Sequence, residues 1–206
     1  MSAQQVEFPT EDGGLISAEV YGKGTRGVVL AHGGQFNKES WREQARVLAA
    51  HGFHVLAFDF RGFGGSRGPG QANFDTAPFD KDVIAAVRYL KAHGMGTVSV
   101  VGGSFGGGAA GDASIEWPGE IDRIVFLGSA PNLPADKLTC RSLFIVARDD
   151  ASADGLRLPG IRAQYEKAPH PKKLIVLEGS AHAQFLFQTD QRARVLREIL
   201  KFLSAS

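Results

Sequence analysis

The sequence predicts an α/β fold, one domain over residues 1–206, built on a mostly parallel, doubly wound sheet of about eight strands with helices on both faces. Three observations carry this. Short continuous apolar runs recur at 28–32 (VVLAH), 53–59 (FHVLAFD), 97–101 (TVSVV), 123–128 (RIVFLG), 142–147 (SLFIVA) and 173–178 (KLIVLE). Such runs suit strands buried on both faces of a parallel sheet. Stretches of helical period separate them, so strand and helix alternate to the end of the chain. A length of 206 residues also suits one sizeable core rather than two full domains.

Ahead of the parallel part, QVEFPT and LISAEVY alternate apolar and polar residues on either side of Glu11-Asp12-Gly13-Gly14, which reads as a hairpin at the sheet edge. After the first buried run, Ser40 and Glu43 have the spacing of a capping box, with Trp41, Ala45 and Leu48 on one face and Gly52 as the stop. Asp80 is placed to cap the next helix, with Val83, Ile84, Val87 and Leu90 as its stripe and Gly94 as its end. Gly107 to Ala113 is a helix of small residues, and Pro159 suits the first turn of another, with Ile161, Tyr165 and Ala168 on one side. Thr189 opens the last, where Val195, Leu196, Ile199, Leu200 and Leu203 face inward.

Composition narrows the function. Apolar residues make up 43% and charged residues 22%, and a formal net charge of +1 supplies no field for gathering nucleic acid or anionic membrane. The one cysteine, Cys140, cannot form an internal disulfide, and MSAQQVEFPTEDGG has neither the basic segment nor the apolar run of a signal peptide. With no apolar run of 18 residues, a soluble cytoplasmic protein is expected, with no nucleic-acid or membrane partner. Histidines and carboxylates do not recur at metal-ligand spacings such as H-E-x-x-H, so neither a metal nor a cofactor is expected.

In doubly wound sheets the reactive groups gather in loops beyond the carboxyl ends of the strands. Gly102-Gly103-Ser104-Phe105-Gly106 follows the 97–101 run and matches G-x-S-x-G, in which a serine is held on a sharp strand-to-helix turn. Glycines on both sides remove β-carbons that would clash in that turn. The plainer alternative is a tight turn in which Ser104 caps the following helix. A rival match, Gly106, Gly108 and Gly111 as G-x-G-x-x-G, begins too far beyond its strand for a dinucleotide loop.

A serine hydroxyl needs a base, and the base needs an orienting group. His51 and His93 lie at helix ends and His54 inside a strand, while His32 precedes the serine. If the order is serine, acid, histidine, His170 and His182 remain, and only His182 follows a strand on the correct side of the sheet. The acid should come from ARDDASADG after the 142–147 run, which offers Asp149, Asp150 and Asp154, the first two being the better placed.

With these residues in view the chain resembles the α/β-hydrolase superfamily over nearly its whole length, as a compact esterase-type member. LAHGG at 30–34 resembles the family's oxyanion-hole strand end, and FDFRGFGGS at 58–66 its D-x-R-G-x-G-x-S signature. The resemblance implies Ser104 as nucleophile, His182 as base, and the amides of Phe105 and Gly34 as the oxyanion hole, with Gln35 the nearest substitute for Gly34. It aligns Asp150 with the family acid, although Ala147 stands where G-x-x-D-x has glycine, which keeps Asp149 in contention. Asp59 and Arg61 match a structural part of the pattern. Many members insert a lid between the strands here at 123–128 and 142–147, yet residues 129–141 are too few for one. An open site is therefore expected, flanked by 35–40, 65–79 and 182–187, with Gln35 and the rings of Phe36, Phe74 and Phe185 toward substrate, although such aromatics also serve as plain core. A small ester is the implied substrate.

Overall fold

The structure is a computed structural model that describes residues 3–205. Eight strands form one sheet: β1 (Gln4–Pro9), β2 (Leu15–Tyr21), β3 (Arg26–Ala31), β4 (Phe53–Phe58), β5 (Thr97–Gly103), β6 (Arg123–Leu127), β7 (Arg141–Ala147) and β10 (Lys172–Leu177). Two short strands, β8 (Ala151–Ser152) and β9 (Gly155–Leu156), make a separate antiparallel pair that the sequence reading does not contain. The sheet order is β1-β2-β4-β3-β5-β6-β7-β10; β1 with β2 and β2 with β4 are antiparallel, and every other pairing is parallel.

Successive side chains on a strand point to opposite faces, so a strand covered on both sides must be apolar throughout. Val28, Leu30, Val55 and Ala57 pack in one core layer, beneath α1 (Arg42–Ala50) and α5 (Arg192–Ser204), while Val29, Ala31, Leu56 and Phe58 pack in the other. The second layer is covered by α2 (Phe79–Ala92), α3 (Phe105–Glu116) and α4 (Leu158–Lys167). The chain runs from β3 outward to β4 and then returns to β5 on the other side of β3. That reversal opens a crevice at the carboxyl ends of β3 and β5.

Helix entries depart from the sequence reading. Ser40 is not a cap: the chain enters α1 through a 3-10 turn at Lys38–Trp41, and Asn37 caps it by accepting from the Ser40 amide. Asp80 is not a cap either, because Pro78 precedes α2 and Asp80 already lies in its first turn. Thr189 stands short of α5, whose cap position is Gln191. The small-residue helix begins earlier than expected, at Phe105. Pro159 does lie in the first turn of α4.

The 58–66 stretch is structural in its contacts. Asp59 accepts from the Lys38 ammonium at 2.6 Å, and the buried Arg61 guanidinium reaches Asp82 at 2.6 Å and Asp12 at 2.7 Å. Between β6 and β7 there is only a three-residue 3-10 turn at Ala135–Lys137, and no lid. No helix among the described residues is long and apolar enough to cross a membrane.

Candidate active site

Ser104 sits between the end of β5 and the start of α3 with φ 53° and ψ −126°. This backbone region is disfavoured for a residue with a β-carbon, and it persists only where the surroundings enforce it. They do so here: the Ser104 amide donates to the Leu127 carbonyl at 3.0 Å, and its carbonyl accepts from Gly107 at 2.9 Å. The flanking glycines are required by contact. A β-carbon on Gly102 would stand 2.5 Å from Gly107 Cα, and one on Gly106 2.5 Å from the His32 carbonyl oxygen. The serine is thereby left partly exposed while Gly102, Gly103 and Gly106 around it are buried.

The Ser104 hydroxyl lies 2.8 Å from His182 Nε2, and His182 Nδ1 lies 2.8 Å from Asp150 Oδ2. A carboxylate only accepts, so Nδ1 carries the proton and donates to Asp150, which leaves Nε2 to accept from the hydroxyl. Asp150 is fully buried at the end of β7, whereas Asp149 is exposed and holds its loop through an amide bond to the Gly179 carbonyl. Of the two acids left open by the sequence, the geometry brings Asp150 to the imidazole. A hydroxyl so connected can lose its proton as it attacks a carbonyl carbon.

His32 lies near this site but is engaged elsewhere. Its Nδ1 donates to the Gly33 carbonyl and its Nε2 accepts from the Phe60 amide. Burial lowers its pKa, and both nitrogens are occupied in the neutral form.

Three further residues shape the site, and no sequence pattern singles them out. Gly128 follows β6 at φ 60°, and a β-carbon there would stand 2.9 Å from His182 Nδ1 and 3.0 Å from Asp150 Oδ2. Gln184 accepts from the Gly33 amide at 2.7 Å and donates to the Ser40 hydroxyl at 2.6 Å, tying the histidine loop to the loop after β3. Arg157 places Nε 3.3 Å from Asp150 Oδ1.

With the Gly33 amide committed to Gln184, the exposed Gly34 faces the Phe105 ring, 3.7 Å from where its β-carbon would be. The Phe105 amide opens α3, where backbone N–H groups have no carbonyl one turn earlier to bond.

The space beside Ser104 lies mainly on a different flank from the one expected. A cavity of about 490 Å³ runs from Ser104 past Gly128 and Asn132 to Leu156, Arg157 and Ile161. A second cleft of about 370 Å³ lies beyond Phe105, walled by Phe74 and Phe79, and touches Asn132 as the first does. Phe74, in the 65–79 segment, lines this second cleft and not the cavity that contains Ser104. Gln35, Phe36 and Phe185 line neither space: Gln35 is exposed, and Phe36 packs on Phe185 with ring centroids 4.9 Å apart.

A family model described as the alpha/beta hydrolase fold matches residues 27–189. The chain is 32% identical over 123 residues to a non-heme haloperoxidase of Rhodococcus erythropolis, a match covering 59% of this chain and 43% of that protein. It is 33% identical over 105 residues to a 2-hydroxymuconate semialdehyde hydrolase of a Pseudomonas species, covering 50% of this chain and 36% of that one. In these matches the chain spans less than half the length of its curated relatives. In fold it is similar to an esterase of Pyrococcus furiosus, with TM-score 0.81, 20% identity, and coverage of 98% of this chain and 90% of that one.

Proposed function

The chain belongs to the α/β-hydrolase fold family, and from that premise we propose that it is a serine hydrolase cleaving small, short-acyl carboxylic esters. One observation carries the reading: an unbroken hydrogen-bonded chain from the Ser104 hydroxyl through His182 to a buried Asp150, with the serine held at the mouth of a cavity. A helix cap or a plain turn has no use for that chain, and Ser104 makes no side-chain cap bond to α3.

In this reading Ser104 Oγ attacks the ester carbonyl carbon as His182 Nε2 takes its proton. The carbonyl oxygen becomes an oxyanion facing the amides of Phe105 and Gly34. The tetrahedral species collapses as His182 returns the proton to the departing alcohol. Water then attacks the acyl group on Ser104, again with His182 as base, and releases the acid. Asp150 keeps the imidazole in the required tautomer and stabilises its charged form. Nucleophile, base and oxyanion donors all come from the chain, so the reaction needs no cofactor.

The test is labelling by a fluorophosphonate probe together with turnover of short-chain p-nitrophenyl esters. The wild-type protein should label on Ser104 and hydrolyse acetate and butyrate esters. Ser104→Ala and His182→Ala should each lose about 10³-fold or more in kcat while staying folded. Retention of a tenth of the activity by either variant would remove that residue from the mechanism. A panel of amides and thioesters run beside the esters identifies the acyl class.

A further inference from the structure

The buried carboxylate of Asp150 gives one oxygen to His182, and its other oxygen faces an unusual neighbour. Oδ1 is sealed from solvent and takes no hydrogen bond from the protein. Burying such an oxygen without compensation is costly. The compensating group is Arg157, whose Nε stands 3.3 Å from Oδ1. That Nε is itself sealed and makes no directed hydrogen bond, so the contact is a charge opposite a charge. The backbone holds the pair together: the Arg157 amide donates to the Asp150 carbonyl at 2.8 Å, closing the loop that carries β8 and β9. The Arg157 side chain, about one-third exposed, also lines the cavity beside Ser104.

We infer that Arg157 is a positioning residue for the proposed hydrolysis, balancing the charge of Asp150 and so tempering the field that this carboxylate sets at the His182 imidazole. The inference rests on the triad reading above. Without Arg157 the carboxylate acts on the imidazole unopposed, the imidazolium is stabilised further, and the base is available only at higher pH. The other charged groups near this loop stay in place: Asp154 on the cavity wall, the exposed Asp149, and Arg148 paired with Glu178 at 2.8 Å.

The experiment is the pH dependence of kcat/KM on a short-chain aryl ester for wild type, Arg157→Met and Arg157→Lys, each first titrated with a fluorophosphonate. In Arg157→Met the acid limb should move to higher pH by about 0.5 to 1 pH unit, from removal of a unit charge that stands 3.3 Å from the carboxylate bonded to the imidazole. Its kcat should fall about tenfold, less than the roughly 10²-fold of a 1 Å misplacement, because the hydrogen bonds of the triad itself remain. Arg157→Lys keeps the charge without the planar fork, so its limb should stay near the wild-type position while kcat falls less. Arg157→Gln, which keeps a donor and drops the charge, carries the same comparison if Arg157→Met does not fold. Equal losses in the Met and Lys variants with an unmoved acid limb would make Arg157 a loop tether and overturn the inference, as would wild-type kinetics in Arg157→Met. Those outcomes leave the triad reading intact, whereas a wild-type protein that neither labels nor turns over removes both.

Discussion

Ser104 and Ala183 have φ of 53° and 50°, and they flank the same hydrogen bond: the first carries the hydroxyl and the second follows His182. Strain at both ends of one contact means that packing, not local preference, sets its geometry. Gly128 is part of that packing, since a β-carbon there would fall within 3.0 Å of both His182 and Asp150. Gly128→Ala should therefore shift the imidazole and lower kcat by about 10²-fold, the scale of a misplacement near 1 Å. Comparing kcat with the melting temperature checks this; a variant as active as wild type would mean that the loop yields without cost. Asp150→Asn should cost far more activity than Asp149→Asn, because only the carboxylate bonded to Nδ1 sets the tautomer. The opposite ranking in kcat/KM would reassign the acid. Ser104 and His182 are legible in the sequence as candidates because each follows an apolar strand run, and the loop after β7 is legible as the source of the acid, although the residues alone leave Asp149 and Asp150 open. Gly128, Gln184 and Arg157 are not legible, because their roles arise from contacts between loops that lie far apart along the chain.

Among the elements, the strands could be read from sequence and the helix entries could not. A run such as VVLAH, short, β-branched and bounded by Gly27 and Gly33, favours a strand buried on two faces, whereas a serine three residues before a glutamate has several explanations. Ser40 shows this: Asn37 takes the cap, and the Ser40 hydroxyl instead accepts from Gln184. The join between β2 and α1 was equally hidden, because it depends on one buried acid. Glu19 accepts from Arg42 at 2.6 Å, from Gln5 at 2.9 Å and from the Tyr21 hydroxyl. The Arg42 guanidinium is the main cause that holds its carboxyl down to about 2. As pH falls, the unfolded chain, with an ordinary glutamate pKa, takes up this proton first. The stability from Glu19 is therefore fully present above about pH 4.5 and is lost as pH falls toward 2. Glu19→Gln should lower stability at pH 7 by about 2 kcal/mol, the scale of a charged hydrogen bond. It should also flatten the fall in melting temperature between pH 4.5 and 2, and thermal melts across that range decide the point. An acid transition identical to wild type would show that other carboxylates, such as Asp12 beside Arg61, control it.

On the scale of the whole molecule, the sheet places Gly34, Ser104, Asp150 and His182 just beyond the carboxyl ends of β3, β5, β7 and β10, and the short link at 129–141 adds no lid over them. In the proposed ester hydrolysis, the absence of a lid between β6 and β7 should limit substrate size. The cavity beside Ser104 measures about 490 Å³, and part of its wall is polar, including Asn132, Asp154 and Arg157. Each methylene buried against apolar wall is worth about 0.8 kcal/mol, so lengthening an acyl chain improves kcat/KM only while apolar wall remains. Beyond that point further methylenes stay in water and contribute nothing to the transition state. Acetate to butyrate esters of p-nitrophenol should therefore outperform decanoate and palmitate. With no lid to open, the rate should show no jump when substrate passes its solubility limit and forms droplets. Measuring kcat/KM along the acyl series, below and above those limits, tests both statements. A preference for palmitate, or a jump at the interface, would require the 65–79 segment, whose Phe74 already rests 5.0 Å from the Phe105 ring, to fold across the serine and supply the missing apolar wall.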